Sequence, residues 1–378
     1  MLFRSPLHFD DFIPGWQTVW LTDPDGVIVE VSGGAPKVVA SLPVKGSIQE
    51  SRLVGTALYV ASQTYQVKTN GTNSVLWEAG TLVSSLDLSN PDAPAAKDTV
   101  WYSGYDNVIA ATDVFLFVAV SSPSNYWRSI VHCIDITAPD GTMNEVAAIS
   151  TAGRVNDKFK LSLADSVFTA VSEAPVNGST SWATKLETFH LPDPRAVGPE
   201  GVFKLGQVAL GNGERLFATR FDGHLAYVVT FRRIDPLWVV DLSDPANPKI
   251  AGELQVPGYS TFIQPLGDRL VTVGLDNSNS WRVAVSLFDV HDPGAPALLS
   301  KVALGQNYSW SEANSDEKAF NVMPDEHLIL LPYQGDFTNG YASRVQLIDL
   351  NHDSLALRGT IDHESQPRRA AVHQDRIL

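Results

Sequence analysis

The residues that most invite a chemical role are aspartates that recur at one place in a repeated pattern: Asp87, Asp135, Asp241, Asp289 and Asp349. Each ends an alternating apolar segment and precedes a turn. Carboxylate oxygens are ligands that calcium prefers. Equivalent positions of successive repeats lie far apart, however, so these carboxylates cannot share one ion. We therefore expect each of them to accept backbone N–H bonds from its own turn, a local contribution of about 1 kcal/mol.

Motifs for catalysis are absent from the sequence. It contains no Gly-x-Ser-x-Gly turn, no His-Glu-x-x-His segment and no phosphate-binding loop, and its nine histidines are scattered. The single cysteine, Cys133, follows His132 in a strand pattern. Neighbouring side chains of a strand point to opposite faces, so these two cannot bind one metal ion. We predict that Cys133 is a small buried apolar residue, and we assign no catalytic residue.

The elements that carry these residues repeat along the chain with a period of roughly 40–50 residues. An alternating apolar strand ends on aspartate, a turn rich in Asp, Pro and Asn follows, and a second strand begins. The pattern is clearest at Leu237–Gly258, Leu82–Pro94, Ile130–Asp140 and Val283–Pro296. Four short strands per repeat are typical of a β-propeller. Each repeat can bury its apolar faces only against its neighbours. We therefore predict an all-β fold and a single propeller domain over residues 1–378, with residues 1–16 as an N-terminal extension.

The first strand of each repeat should line the axial channel of the propeller. We place these inner strands at Ile48–Val54, Asn107–Ala111, Lys158–Leu163, Leu216–Phe221, Tyr259–Leu266, Ala319–Met323 and Arg369–His373. The last of them lacks partners downstream, and Thr18–Leu21, Val27–Val31 and Val38–Leu42 fit the three missing positions. This predicts seven four-stranded blades in which the two chain ends share one blade, and eight blades are the alternative.

Polar side chains cluster in or near these inner strands, where burying an unpaired charge would cost several kcal/mol. Two interpretations are open. These side chains pair with one another around a water-filled channel, or they hold a polar ligand or a calcium ion at the mouth of the channel. The alternation of side chains along the strand directs Arg220 toward the channel. There its guanidinium could donate two parallel hydrogen bonds to the carboxylate of Glu312 or Asp316. The candidate residues for a site at the channel mouth are Glu50, Asn107, Asn156, Arg220, Tyr259, Glu312, Asp316 and Arg369.

The longest insertions fall between the second and third strands and should crowd one face of the propeller. They are Gln63–Ala79, Ser121–Trp127, Glu173–Ala183, Asp276–Ser280 and Tyr333–Ala342. Exposed Trp and Tyr in polar loops suit sugar stacking or protein contacts, although some of these rings could instead pack between blades. The aromatic candidates on this loop face are Trp77, Trp127, Trp182, Trp281 and Tyr333.

The charge of the chain excludes some partners. The formal net charge is −15 and the isoelectric point is about 4.9, which argues against binding to nucleic acid or to an anionic membrane surface. No run of apolar residues is long enough to span a bilayer. The N-terminus lacks the pattern of a secretory signal. The chain enters a strand pattern almost at once and stops in another, so we expect it to be a piece of a longer protein.

The segment Phe217–Gly274 resembles the bacterial and archaeal beta-propeller domain proteins, many of which are secreted or attached to the cell surface. The resemblance continues at Leu287–Pro293, Ser311–Phe320 and Arg368–Leu378, and the repeat is also similar to the short Leu-Val-Ile-Val-Asp repeats of other surface propellers. Glu317 stands where the family usually has histidine, and only Phe9-Asp10-Asp11 echoes its acidic opening. The resemblance implies a fold and a place outside the cytoplasm but no established reaction.

These observations lead to one functional expectation and two alternatives. We expect a non-enzymatic, extracytoplasmic propeller that binds a protein or a surface glycan through its loop-bearing face, with no cofactor. The first alternative is a calcium-dependent hydrolase or lactonase with its site in the axial channel. The second is a purely structural module of a larger secreted protein.

Overall fold

The computed structural model describes most of the chain. The described residues are 18–21, 25–30, 37–69, 75–90, 93–105, 108–176, 180–196, 201–211, 213–231, 235–278, 280–338, 340–373 and 376–377. Within them the chain forms thirty β-strands and three short 3-10 helices. The predicted all-β class is confirmed.

The first half of the chain forms four antiparallel sheets, each with strands in consecutive order. Sheet 1 contains β1 (Thr18–Leu21), β2 (Asp25–Glu30) and β3 (Lys37–Pro43). Sheet 2 contains β4 (Ser47–Val54), β5 (Ala57–Thr69), β6 (Val75–Asp87) and β7 (Ala95–Ser103). Sheet 3 contains β8 (Val108–Ala111), β9 (Phe115–Ser122), β10 (Asn125–Asp135) and β11 (Asn144–Ser150). Sheet 4 contains β12 (Leu161–Ala164), β13 (Val167–Pro175), β14 (Trp182–His190) and β15 (Phe203–Leu210), preceded by the 3-10 helix Lys158–Lys160.

The second half continues the pattern. Sheet 5 contains β16 (Arg215–Asp222), β17 (Leu225–Phe231), β18 (Asp235–Asp241) and β19 (Lys249–Val256). Sheet 6 contains β20 (Tyr259–Leu266), β21 (Arg269–Asp276), β22 (Arg282–Asp289) and β23 (Ala297–Ala303). Sheet 7 contains β24 (Ser309–Trp310), β25 (Asn321–Met323), β26 (Leu328–Phe337), β27 (Gly340–Leu350) and β28 (Leu355–His363), with 3-10 helices at Glu312–Asn314 and Glu317–Ala319. Sheet 8 pairs β29 (Val372–His373) with β30 (Arg376–Ile377).

The apolar core lies between neighbouring sheets, because the central strands bury side chains on both of their faces. Contacts divide the chain into two compact units, Met1–Ala174 with Phe189–Lys204 and Pro175–Thr188 with Leu205–Leu378. In the first unit, Tyr59 of sheet 2 packs in one cluster with Val118 of sheet 3. In the second, Val285 of sheet 6 shares a cluster with Ile348 of sheet 7. Face-to-face packing of sheets is the arrangement that blades require.

The recurring aspartates cap their own turns, as predicted. The turn N–H donates to the carboxylate at 2.8 Å for Asp87, 2.9 Å for Asp135, 2.8 Å for Asp241 and 2.9 Å for Asp289. Asp349 differs, because its carboxylate accepts from the guanidinium of Arg358. Four of the five positions therefore serve the turn, which is the local role that short polar side chains perform at strand ends.

Two expectations need correction. The predicted insertions Gln63–Ala79 and Tyr333–Ala342 are largely strand, because β5 extends to Thr69, β6 begins at Val75, and β26 and β27 leave only two residues between them. The predicted inner strands at 158–163 and 319–323 begin with 3-10 turns. The single-domain assignment, the blade count and the sharing of a blade by the chain ends stay predictions.

Candidate functional site

The order of the strands brings two kinds of connection to one end of each sheet. Hairpins that join the second strand to the third lie there, and so do the segments that leave the fourth strand. We call this the hairpin end. The aspartate-capped turns between the third and fourth strands lie at the opposite end, which we call the turn end. The hairpin end corresponds to the loop face predicted from the sequence.

The hairpin of β5 and β6 presents an apolar face to solvent. Val67 lies opposite Trp77 and Tyr65 lies opposite Ala79, so these side chains share one face of the hairpin. Tyr65 and Val67 are exposed, and Trp77 is 69% exposed. On the other face Lys68 forms an ion pair with Glu78. The hydrogen bonds that Glu78 accepts from Lys68 and from Ser103, the latter at 2.6 Å, lower the pKa of its carboxyl.

The hairpin of β9 and β10 carries a fixed pair of rings. The register breaks between Asn125 and Ser129 and turns the intervening side chains outward. The rings of Tyr126 and Trp127 meet edge to face, with centroids 5.4 Å apart, and Trp127 is 41% exposed. The guanidinium of Arg154 lies 4.7 Å from the ring centroid of Tyr126 and donates to its hydroxyl at 2.8 Å. These contacts restrict both rings before any partner arrives.

Tyr105 links the two hairpins. The N–H of Gly104 donates to the carbonyl of Ala79 at 3.1 Å. The N–H of Tyr105 donates to the hydroxyl of Ser121, at the base of the second hairpin, at 2.7 Å. The backbone of Gly104 and Tyr105 therefore joins the bases of the two hairpins, and the ring of Tyr105 is exposed. We call the resulting patch of the first unit the aromatic surface; it consists of Tyr65, Val67, Trp77, Tyr105, Tyr126 and Trp127.

The second unit places its aromatic candidates differently. Trp281 is exposed and approaches Tyr259, with centroids 6.0 Å apart. Tyr259, predicted at the channel mouth, packs against Phe217 at 4.6 Å. The guanidinium of Arg215 covers the ring of Trp182 at 3.8 Å. Tyr333 is only 3% exposed and belongs to the apolar core. Its prediction as a loop residue was wrong, because β26 continues through it and alternation turns it inward.

The channel candidates of the second unit form pairs. Arg369 donates to Asp316 at 2.7 Å, and Gln366 donates to Glu312 at 3.1 Å. Burial alone would raise the pKa of Asp316. The hydrogen bond and charge of Arg369, together with the backbone N–H and charge of Lys318, oppose burial and hold the pKa below its usual range. The structure thus brings together Asp316 and Arg369, which lie 53 residues apart in sequence.

Arg220 has a different environment from the one expected. Burial lowers the pKa of its guanidinium, while the charges of Glu317 and Asp222 oppose that shift. The guanidinium also lies 5.7 Å from the ring centroid of Phe262. The carboxylate whose charge acts most on Arg220 is Glu317, whereas the sequence offered Glu312 or Asp316, and Asp316 pairs with Arg369. Nothing in the spacing of the sequence distinguished these carboxylates.

In the first unit the channel candidates pair with residues that the sequence did not single out. Arg52 donates to Glu50 at 2.8 Å and to the carbonyl of Ile109 at 3.0 Å. Asn156 donates to the buried carboxylate of Glu173 at 2.9 Å. Asn107 lies outside the described residues. The contact of Arg52 with Glu50 could have been predicted from the sequence, because alternation along β4 puts residues 50 and 52 on one face.

Metal-ligating groups do not converge in the part of the chain that the structure describes: no three His, Cys, Asp or Glu side chains lie close enough to hold an ion. The predicted channel calcium stays a prediction. Cys133 is fully buried, as predicted. Burial, followed by the nearby charge of Glu145, raises the pKa of its thiol to about 12. A thiol with that pKa forms almost no thiolate at neutral pH and is a poor nucleophile.

Comparison with known proteins decides the family. Residues 72–377 match the model of the beta propeller domain. The chain belongs to the beta-propeller domain family. This match confirms the resemblance to the beta-propeller domain proteins that the sequence analysis described.

Relatives of this propeller carry no assigned activity. It is 43% identical over 137 residues to an uncharacterised protein of Methanocaldococcus jannaschii, a match that covers 36% of this chain and 21% of that protein. It is 39% identical over 140 residues to an uncharacterised protein of Archaeoglobus fulgidus, covering 36% and 22% respectively. The matched region thus spans about a fifth of each curated relative.

A solved structure supports the same fold. The propeller aligns with Sqt1 of Saccharomyces cerevisiae at a TM-score of 0.53, covering 88% of this chain and 78% of that one. At 9% identity this likeness concerns the fold alone. Among the described residues, no helix has the length and apolar character needed to cross a membrane.

Proposed function

We propose that this propeller is a non-catalytic binding module that receives its partner on the aromatic surface. The observation that carries the proposal is the concentration of exposed large side chains at the hairpin ends of sheets 2 and 3. Large apolar side chains are normally buried, so several of them exposed at the same end of two neighbouring sheets indicate an interaction site. Trp and Tyr are also the residues that contribute most to binding when a partner covers them.

The restricted positions of the side chains on the aromatic surface support the same conclusion. Arg154 holds Tyr126, Tyr126 holds Trp127 edge to face, and Ser121 fixes the backbone of Tyr105. Rings that are already restricted lose less conformational entropy on binding, so more of the contact energy appears as affinity. These tethers are local to the hairpin end and contribute nothing to the apolar core between the sheets.

The proposed location is outside the cytoplasm, where many propellers of this family type are secreted or surface-attached. The net charge of −15 keeps such a surface repulsive toward copies of itself and toward polyanions. A purely structural role in a larger protein is the main alternative, since the relatives are several times longer than the matched region.

The calcium-dependent hydrolase is the other alternative. Asp316, one of its candidate ligands, already has Arg369 as a partner, and an ion would have to displace that cation. Metal analysis of protein purified without chelator tests this alternative, and a stoichiometric ion that raises the melting temperature would support it.

The test of the binding role compares two variants with the unaltered chain. Trp77→Ala combined with Trp127→Ala removes the two indole rings of the aromatic surface. Phe203→Ala is the matched control, since Phe203 is 54% exposed but begins β15 at the turn end. Immobilised proteins are probed with panels of purified polysaccharides and extracellular proteins. We expect at least one ligand that the double variant loses and the control retains. The proposal fails when no ligand in either panel depends on the two tryptophans.

A further inference from the structure

An aromatic ring recurs at the same place in successive sheets, at the start of the third strand. In the first unit Trp77 is the third residue of β6 and Trp127 is the third residue of β10. In the second unit Trp182 opens β14, Trp281 immediately precedes β22 and Tyr341 is the second residue of β27. The recurrence therefore covers sheets 2, 3, 4, 6 and 7. Sheet 5 does not share it, because Trp238 of β18 is buried and donates its indole N–H to Thr230 at 2.9 Å.

Repetition of one ring position points to a ligand that also repeats. Resting on the proposed function, we propose that the partner is a neutral polysaccharide, with sugar rings stacked on Trp77 and Trp127 of the aromatic surface. One face of a pyranose ring presents C–H groups, which pack on the negative face of an aromatic ring. The further sugars of one chain offer C–H faces of the same kind, whereas a folded protein offers no such repeat.

The surroundings of the rings fit hydroxyl-rich ligands. In the same hairpin as Trp127, the hydroxyls of Ser122 and Ser124 lie 3.0 Å apart. The side-chain oxygen of Asn125 accepts a hydrogen bond from the backbone N–H of Trp127 at 3.0 Å. Hydroxyl and amide groups both donate and accept, as sugar hydroxyls do.

Electrostatics selects among polysaccharides. The chain carries 42 acidic and 27 basic residues, so its field repels anionic polymers at long range. Lys68, the cation of the first hairpin, is already paired with Glu78. A neutral chain meets no such repulsion, and its binding should depend little on salt concentration.

Affinity should rise with the length of the oligosaccharide. A single sugar on one ring binds weakly, but a chain that reaches a second ring binds there at high effective concentration. Isothermal titration with di-, tetra- and hexasaccharides of β-glucan, α-glucan and mannan measures this dependence. Affinity electrophoresis in gels containing the parent polymers detects the weaker cases. We expect one series to bind, with the hexasaccharide tighter than the disaccharide by about 10-fold or more.

Variants separate this inference from the binding role on which it rests. Trp77→Ala and Trp127→Ala should each lower the affinity for the hexasaccharide by about 3–10-fold, and Phe203→Ala should leave that affinity unchanged. Circular dichroism confirms that each variant is folded. Binding that is independent of chain length, or equal in all variants, overturns the inference. A protein ligand that depends on the two tryptophans, with no neutral polysaccharide bound, overturns the inference and leaves the binding role standing.

Discussion

The two ends of the same sheets differ in how their polar and apolar groups are used. At the turn end the groups are satisfied within the chain: Asp241 and Asp244 accept the N–H groups of Ser243 and Ala246 at 2.8 and 3.0 Å. At the hairpin end of sheets 2 and 3, large rings face solvent. The repeated part of the sequence thus builds the scaffold, while the hairpins differ from sheet to sheet, as the proposed binding role requires.

The turn end also joins sheet 2 to sheet 3 and sheet 5 to sheet 6. Lys97 of β7 forms an ion pair at 2.6 Å with Asp140, in the turn that follows β10 of the next sheet. Asp98 accepts the N–H of Met143 from that turn at 3.1 Å. Sheets 5 and 6 meet at the equivalent place, but there the contact is close packing. Gly252 of β19 lies against the turn of sheet 6 that contains Pro293 and Pro296. This recurrence explains why the turn sequence is so regular.

The largest effect is expected at Gly252. A Cβ added there would collide with the carbonyl oxygen of Pro293 and the ring of Pro296, so Gly252→Ala should reduce the free energy of unfolding by about 2–3 kcal/mol. Gly359→Ala is the control, since nothing lies within 4 Å of its Cβ position. Urea denaturation measures both. Equal stability of the two variants would show that the turn end is not fixed by this contact.

A smaller effect is expected at the turn cap Asp241. Asp241→Ala removes the acceptor of the Ser243 N–H and should lower the free energy of unfolding by about 1 kcal/mol. Asp241→Asn keeps an acceptor oxygen and should recover most of the loss. If both variants match the unaltered chain in urea denaturation, the capping bond contributes nothing and the regular turn needs another explanation.

The regular parts of the molecule could be predicted from the sequence because they are set locally. Alternation predicted β20 at Tyr259–Leu266, which is where the structure has it. The turn caps followed from the tendency of aspartate to bond with its own turn. Gln63–Thr69 looked like a loop because polar residues predominate, yet pairing with β6 extends the strand.

The pairing of distant side chains could not be predicted in this way. Asp316 meets Arg369, and Arg154 meets Tyr126 from 28 residues away. Such contacts depend on where the backbone brings two elements together, and spacing within one repeat does not determine that. The aromatic character of the hairpin end, including an exposed Trp77, could be read from the sequence, but the burial of Tyr333 could not.

The ion pair between Lys97 and Asp140 predicts a dependence on pH. The hydrogen bond from Lys97, supported by the N–H and hydroxyl of Thr142, lowers the pKa of Asp140 from 3.8 to about 2. A lowered pKa in the folded state adds stability above pH 4, and that stability is lost as the pH falls toward 2. Asp140→Asn should therefore be less stable than the unaltered chain at pH 7, and the difference should shrink on acidification.

Lys97→Gln provides a matched variant, because it removes the cation but keeps the carboxylate. It should reproduce most of the stability loss of Asp140→Asn at pH 7 in thermal melts. A difference between Asp140→Asn and the unaltered chain that stays constant from pH 7 to pH 2.5 would show that the pair does not stabilise the turn end.

The smallest effect on stability is expected at the hairpin end. Trp77→Ala removes a ring that is 69% exposed, and exposed substitutions usually change the free energy of unfolding by no more than about 0.5 kcal/mol. Urea denaturation of this variant should therefore match that of the unaltered chain. A loss above about 1 kcal/mol would mean that the ring packs against the fold and is not held available for a partner.

Hydroxyl-radical footprinting, with and without a saturating ligand, tests the central claim most directly. Side chains at both ends of the sheets are oxidised in the free protein and identified by mass spectrometry. We expect the ligand to protect Tyr65, Trp77, Tyr126 and Trp127, and to leave Phe203 at the turn end as reactive as before. Protection of Phe203 with unchanged oxidation of the four rings would contradict the assignment of binding to the hairpin end.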